Sequence, residues 1–334
     1  MTDARQPYHA VDLMKWICSL LVIVVHTYPF YEVLPDVGFV TSNILGRIVI
    51  PFFFVSAGYF IQIGLTHKQE GYFRSYMLRL IRLYLIWSLL YIPFGMHKLS
   101  SMMEIHGWMW LGALAVGLLN TGTYYHLWYM AALIFAMLFC WLLSRKLSLK
   151  VLLGIGAGLF LIGLFETYNG LIAGGWLRQT LDLYLMFMFT TRNGLFFGVL
   201  FVALGMFLAQ HQRWRKIPHP FRLAALSFIL LVIEAFSVRS MQLALDYNMY
   251  LMTVPFTLFW FCGLLQSRLD WPLPYRQLRE SSTLIYFTHG FFLELGEILL
   301  GPLYLNHGAV RFFFVFPLTL ICAEIIRRKL PMLK

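Results

Sequence analysis

The chain has 334 residues, of which 60% are hydrophobic and only 12% charged, and its mean hydropathy is +0.72. A soluble domain carries about a quarter charged residues, so a soluble globular fold is excluded. The composition indicates an all-α polytopic integral membrane protein with a single membrane-embedded domain over residues 1–334. The net charge of +11 could suggest a nucleic-acid partner. However, the basic residues fall in short clusters between apolar segments, as the positive-inside rule requires, and membrane lipids are the expected contact instead.

A spanning helix needs about 20 mostly apolar residues. Ten segments meet that length, near 12–30, 43–65, 76–96, 125–143, 149–167, 193–210, 221–238, 247–266, 283–300 and 309–327. The apolar stretch from Gly107 to Leu119 is shorter and reads as a re-entrant or interfacial helix. The first segment has no basic run before it and no small-residue cleavage pattern after it, so it is expected to be a retained span. Of the 26 Lys and Arg residues, Arg47, Lys98, Arg178, Arg192, Arg239 and Arg311 fall in one set of connections and the rest in the other. That asymmetry places both termini in the cytoplasm.

In the first span, His26 is an ionisable group at membrane depth, where such groups are costly and usually functional. Lys15 precedes it by eleven residues, or about 20° of helical rotation after three full turns and roughly 16 Å of rise. The two share one helix face, Lys15 near the cytoplasmic end and His26 near the outer end. Asp12 stands three residues before Lys15, close enough to pair with it. His26 is either a general base or a histidine bonded to a neighbouring span. Arg47 enters the second span from the outer side, against the positive-inside bias, which favours a counter-charge or ligand role.

At the cytoplasmic start of the third span, Arg79 and Arg82 lie at i, i+3. They either anchor to anionic headgroups or bind phosphate bidentately. The run Tyr124-Tyr-His126-Leu-Trp-Tyr129 opens the fourth span and suits an interfacial aromatic belt, with His126 as belt residue or functional group. Arg192, in Thr191-Arg-Asn-Gly194, is a second outer-side arginine, with Glu166 and Asp182 the nearest acids in sequence. Glu234, Glu294, Glu297 and His289 are further intramembrane ionisable groups that either line a pathway or pair with arginines. Cys18, Cys140, Cys262 and Cys322 are isolated in apolar segments, so neither a disulfide framework nor a metal site is expected.

In order and spacing, several of these fragments resemble the membrane acyltransferase-3 family of bacterial cell-envelope O-acyltransferases. They are Lys15, ten residues, His26; then Arg47-Ile-Val-Ile-Pro51-Phe-Phe-Phe-Val-Ser56-Ala-Gly58-Tyr59, where Ala57 is inserted between the family's Ser and Gly. Next come Arg79 to Arg82, His126-Leu-Trp-Tyr129, and Tyr286 to His289. Lys15 stands where the family usually has arginine, which weakens a bidentate phosphate clamp there. The Thr191–Gly194 and Ser282–Tyr286 segments resemble the branch that includes the membrane part of a serine racemase.

The resemblance implies an integral-membrane O-acyltransferase of the bacterial cytoplasmic (inner) membrane. Acyl-CoA, with acetyl-CoA favoured, would be the donor, held by Arg79, Arg82 and Lys15. The acceptor would be a hydroxyl of an envelope glycan or lipid-linked sugar, steadied by Arg47 and Arg192. His26 and His126 would be the catalytic residues, with no metal. The competing expectation is a transporter of a small polar solute such as L-serine, in which Glu294, Glu297 and His289 would couple transport.

Overall fold

The computed structural model describes residues 8–67, 71–102, 104, 106–172 and 174–333, apart from the side chains of residues 102, 213 and 331. Arg5, Lys68 and Lys334, counted above for orientation, lie outside them. The described chain is mostly helical, with no strand among the described residues. Among the described residues, nine helices are long and apolar enough to cross a membrane: α1 (His9–Thr27), α2 (Pro35–His67), α3 (Tyr72–Ser101), α5 (Tyr125–Ser144), α6 (Leu149–Glu166), α8 (Gly194–His211), α9 (Pro220–Ser240), α11 (Tyr275–Leu300) and α12 (Gly308–Lys329). The expected span near 247–266 is the shorter apolar helix α10 (Thr253–Gln266), because the chain through Asn248, Met249 and Tyr250 is not helical. The stretch after Gly107 forms the short helix α4 (Met109–Thr121), and α7 (Trp176–Met188) follows α6. Nineteen residues of α1 rise roughly 28 Å, close to the hydrocarbon thickness of a bilayer.

The helices form two compact units built from interleaved segments. The first comprises residues 1–49, 213–229 and 255–334, the second residues 50–212 and 230–254. In the first unit, α1, α11 and α12 pack on one another. Their ends are pinned by polar contacts, because a bilayer offers backbone groups no water. His9 stacks on Tyr275 at 4.0 Å, and its Nδ1 lies 2.9 Å from the Leu269 carbonyl. Gln266 donates to the Trp214 carbonyl at 2.6 Å, closing the start of the 213–229 segment onto α10. A π-helical turn at Thr41–Leu45 interrupts α2 just before Arg47.

In the second unit, α6 packs on α8, and α5 packs on the first turn of α8. Between apolar helices in lipid no hydrophobic drive remains, so close backbone approach through small residues does the work. A Cβ at Gly205 would meet the Val55 carbonyl and lie 2.6 Å from the Tyr59 nitrogen. One at Gly58 would run into the Val202 carbonyl. Each glycine thus accommodates the other helix's backbone. Gly205→Ala is expected to destabilise the protein by about 1–3 kcal/mol through overpacking. A thermal melt in detergent measures it, and an unchanged midpoint would show that the two helices can move apart freely.

Candidate functional site

In the first unit the site forms around the C-terminal end of α1. His26 is half-buried and its ring stacks on His289 of α11, with centroids 5.2 Å apart and planes 23° from parallel. His289 is fully buried. Its Nδ1 lies 3.2 Å from the Ile285 carbonyl, one turn back, which leaves Nε2 as the atom on the far side of the ring. Tyr286, three residues earlier on the same helix, is 6.3 Å from His289. Spacing on α1 and α11 therefore brings the first-span histidine and the late Tyr-x-x-His element together.

The end of α1 is held by Arg311 of α12. Its guanidinium donates to the Thr27 carbonyl at 2.9 Å, to the Leu305 carbonyl at 2.6 Å and to Glu32 at 3.1 Å. Glu32 also accepts from the Gly308 backbone at 3.0 Å. The Thr27 carbonyl is one that a helix C-terminus leaves without an intrahelical donor. A half-buried cation therefore caps α1 one residue after His26, with charge of the sign that a helix C-terminus favours. Burial pushes the nearby Tyr304 phenol up, so it stays protonated. Arg47 donates to Asn43 of the π turn at 3.2 Å.

At the other end of α1, Asp12 pairs with Arg279 of α11 at 3.0 Å. Ser282 donates to the Lys15 carbonyl at 2.9 Å, and Lys15 is half-buried beside this pair. Sequence reasoning paired Asp12 with Lys15 and missed Arg279, whose partner lies 267 residues away in the chain.

The second unit holds the other expected site residues. His126 is buried inside an aromatic cage, edge-on to Tyr91 at 4.8 Å, Tyr124 at 5.5 Å and Tyr125 at 5.9 Å. Arg192 lies over the Trp128 ring at 4.6 Å, a cation–π contact. Its loop is held by the buried Glu166, whose carboxyl accepts from the Thr191 backbone at 2.5 Å and from the Thr190 hydroxyl at 3.0 Å. The Thr191 hydroxyl lies 2.7 Å from both that carboxyl and the Gly163 carbonyl. Asn193 then caps α8, accepting from Leu195 and Phe196 at 3.0 and 3.1 Å and donating to Tyr184 at 2.6 Å. Burial pushes the Tyr184 phenol up.

Of the two acids nearest Arg192 in sequence, Glu166 thus anchors the loop, and Asp182 pairs with Arg178 at 3.1 Å. Arg79 and Arg82 are exposed on α3, Arg79 5.6 Å above the Tyr76 ring. Glu234 accepts from the Leu251 and Met252 backbones at 2.6 and 2.8 Å and from the Tyr168 hydroxyl; it closes the turn before α10. Among the described residues, no group of three or more His, Cys, Asp or Glu side chains could hold a metal ion.

Lys15, His26 and Arg47 thus belong to the first unit, and Arg79, Arg82, His126 and Arg192 to the second. A family model described as an acyltransferase domain matches residues 8–328 of the chain. The chain belongs to the acyltransferase-3 family. Two curated relatives of this acyltransferase-3 chain are racemases. One is an amino-acid racemase of Enterococcus faecalis, 27% identical over 257 residues, covering 75% of this chain and 35% of that protein. The other is a serine/alanine racemase of Enterococcus gallinarum, 26% identical over 289 residues, covering 84% and 40%. The chain therefore spans well under half the length of these relatives. No solved structure matches it.

Proposed function

We propose that this acyltransferase-3 chain is an integral-membrane O-acyltransferase of a bacterial cytoplasmic membrane. It moves an acyl group, with acetyl favoured, from acyl-CoA to a hydroxyl of an envelope glycan or lipid-linked sugar. The observation that carries this reading is the family match across residues 8–328. Under it, the acceptor oxygen bonds to the thioester carbonyl carbon, the C–S bond breaks, and the proton lost from the hydroxyl ends on the CoA thiol. His26 either takes that proton or carries the acyl group between donor and acceptor, and His289, stacked on it, holds the ring. His126 is a second catalytic candidate, and Arg47 and Arg192 steady the acceptor or a developing oxyanion. Arg79, Arg82 and Lys15 bind the donor phosphates, for which exposed guanidinium pairs are suited.

Proteoliposomes given labelled acyl-CoA test the reading: acyl transfer or CoA release supports it. A second reading is a transporter of a small polar solute such as L-serine, an amino acid of the kind the relatives' names mention. Solute uptake without acyl-CoA would favour that reading, with His289, Glu294 and Glu297 as the coupling groups. The donor assignment has its own test. A charge-assisted hydrogen bond contributes about 1.5–3 kcal/mol, so Arg79→Ala with Arg82→Ala is expected to raise KM for acyl-CoA about tenfold or more, with kcat little changed. An unchanged KM would assign the pair to lipid anchoring.

A further inference from the structure

Within the second unit, the C-terminal half of α3, helix α4 and the chain at 121–125 enclose a cavity of about 440 Å³, inside the usual size range of ligand pockets. Ile92, Met96 and Leu99 form one wall, Trp110, Leu111 and Leu114 the other, and Lys98 stands among the lining residues. The cavity is built rather than incidental. The Tyr84 hydroxyl donates to the Leu118 carbonyl at 2.9 Å, and Thr123 donates to the Ser88 carbonyl at 3.0 Å. Gly95 lets the Thr123 carbonyl come against the α3 backbone, where a Cβ would collide with it. Gly122 turns the chain at φ +80. Tyr124 and Tyr125 also line the cavity, and they are the same rings that stand edge-on to His126. Two rings of the His126 cage therefore also face the cavity.

We propose that this groove holds the hydrocarbon chain of a lipid-linked acceptor, with the anionic group that joins chain to sugar placed at Lys98. The identification as acceptor rests on the acyl-transfer reading above; the chemistry of the groove does not. The stretch of wall formed by Ile92, Met96, Leu99, Leu111, Ala113 and Leu114 offers sugar hydroxyls no hydrogen-bond partners, which is costly, whereas a hydrocarbon chain loses nothing there. One lysine in a mostly apolar lining that also holds Thr121 and Thr123 complements a phosphate-type linkage.

The test is binding, which needs no turnover. The full-length protein in phosphatidylcholine nanodiscs is labelled with a diazirine-bearing hexadecyl phosphate, and the labelled peptides are read by mass spectrometry. Labelling is expected on α3 and α4 and is competed by unlabelled hexadecyl phosphate but not by phosphatidylglycerol at the same concentration. Ala113→Trp, which fills the groove, is expected to abolish labelling. Lys98→Ala, at an exposed position, is expected to weaken capture of the phosphate probe about fivefold while leaving a hexadecanol probe unchanged. If Ala113→Trp fails to fold, Leu111→Phe narrows the same wall and must lower labelling. Equal competition by phosphatidylglycerol would overturn the proposal, because the groove would then hold bulk lipid. So would labelling indifferent to every one of these variants. Selective labelling of a protein that shows no acyl transfer would support the groove and count against the function above.

Discussion

Replacing His26 by alanine is expected to lower acyl transfer by about 10²–10⁴-fold, the usual worth of a positioned acid or base, while the protein still folds and inserts. The geometry makes this the sharpest loss available. His26 is half-buried at the end of α1, so its removal leaves no large cavity. Its ring packs on His289, and its backbone is fixed by the Arg311 cap one residue on. His26→Ala therefore removes ring chemistry while the caps that hold the helix remain.

Two controls separate role from structure. His26→Gln keeps a polar side chain of similar reach and should recover folding but not transfer. His289→Phe preserves a ring against His26 and removes the second imidazole, so it should keep the melting temperature and lower kcat. Quenching the reaction with labelled acyl-CoA distinguishes carrier from base: a covalent acyl-protein in the wild type that vanishes in His26→Ala indicates a carrier. Full transfer by His26→Ala would sink the assignment.

What was legible in the sequence follows the range of the interactions. Spans are a local property of about 20 residues, and nine of the ten expected lie close to the observed helices. The tenth is shortened because the Glu234 carboxyl draws the Leu251 and Met252 backbones into a turn, and Glu234 belongs to the preceding helix, outside the 247–266 segment. The shared face of Lys15 and His26 needed only the helical period. The partners of that face did not come from periodicity: Arg311 meets Glu32 across 279 residues, and Arg279 meets Asp12 across 267. The π turn before Arg47 leaves no signal either, since Thr41-Ser-Asn-Ile-Leu45 has no proline or glycine to mark a break. Arg47 and Arg192 stood out because they defied the positive-inside rule. The cage around His126 was visible as an aromatic cluster, but Tyr91, its nearest ring, comes from a different helix. The interleaving of two compact units is a long-range property and lay beyond any reading of composition.

Glu166→Ala is expected to be the most damaging single change in the second unit outside its helix-packing glycines. The buried carboxyl receives the Thr191 N–H at 2.5 Å and the Thr190 hydroxyl at 3.0 Å, and the same hydroxyl accepts from the Arg192 N–H at 3.0 Å. Each donor left buried without a partner costs about 1–3 kcal/mol, and the carboxyl is itself buried, away from water that could replace it. Losing the clasp should therefore destabilise the protein by several kcal/mol, roughly two such donors' worth, and release the loop that carries Arg192 over Trp128.

The signature goes beyond stability. If Arg192 steadies the acceptor, Glu166→Ala raises KM for the acceptor while KM for acyl-CoA stays put, because Arg79 and Arg82 lie on another helix. Glu166→Gln keeps one carbonyl oxygen to accept from the Thr191 N–H and should fall between wild type and alanine in both melting temperature and acceptor KM. A wild-type melting temperature for Glu166→Ala would show that the clasp is not needed for folding. An equal rise in both KM values would show that the loop's disorder spreads to the donor side, and Arg192 would then lose its assignment to the acceptor.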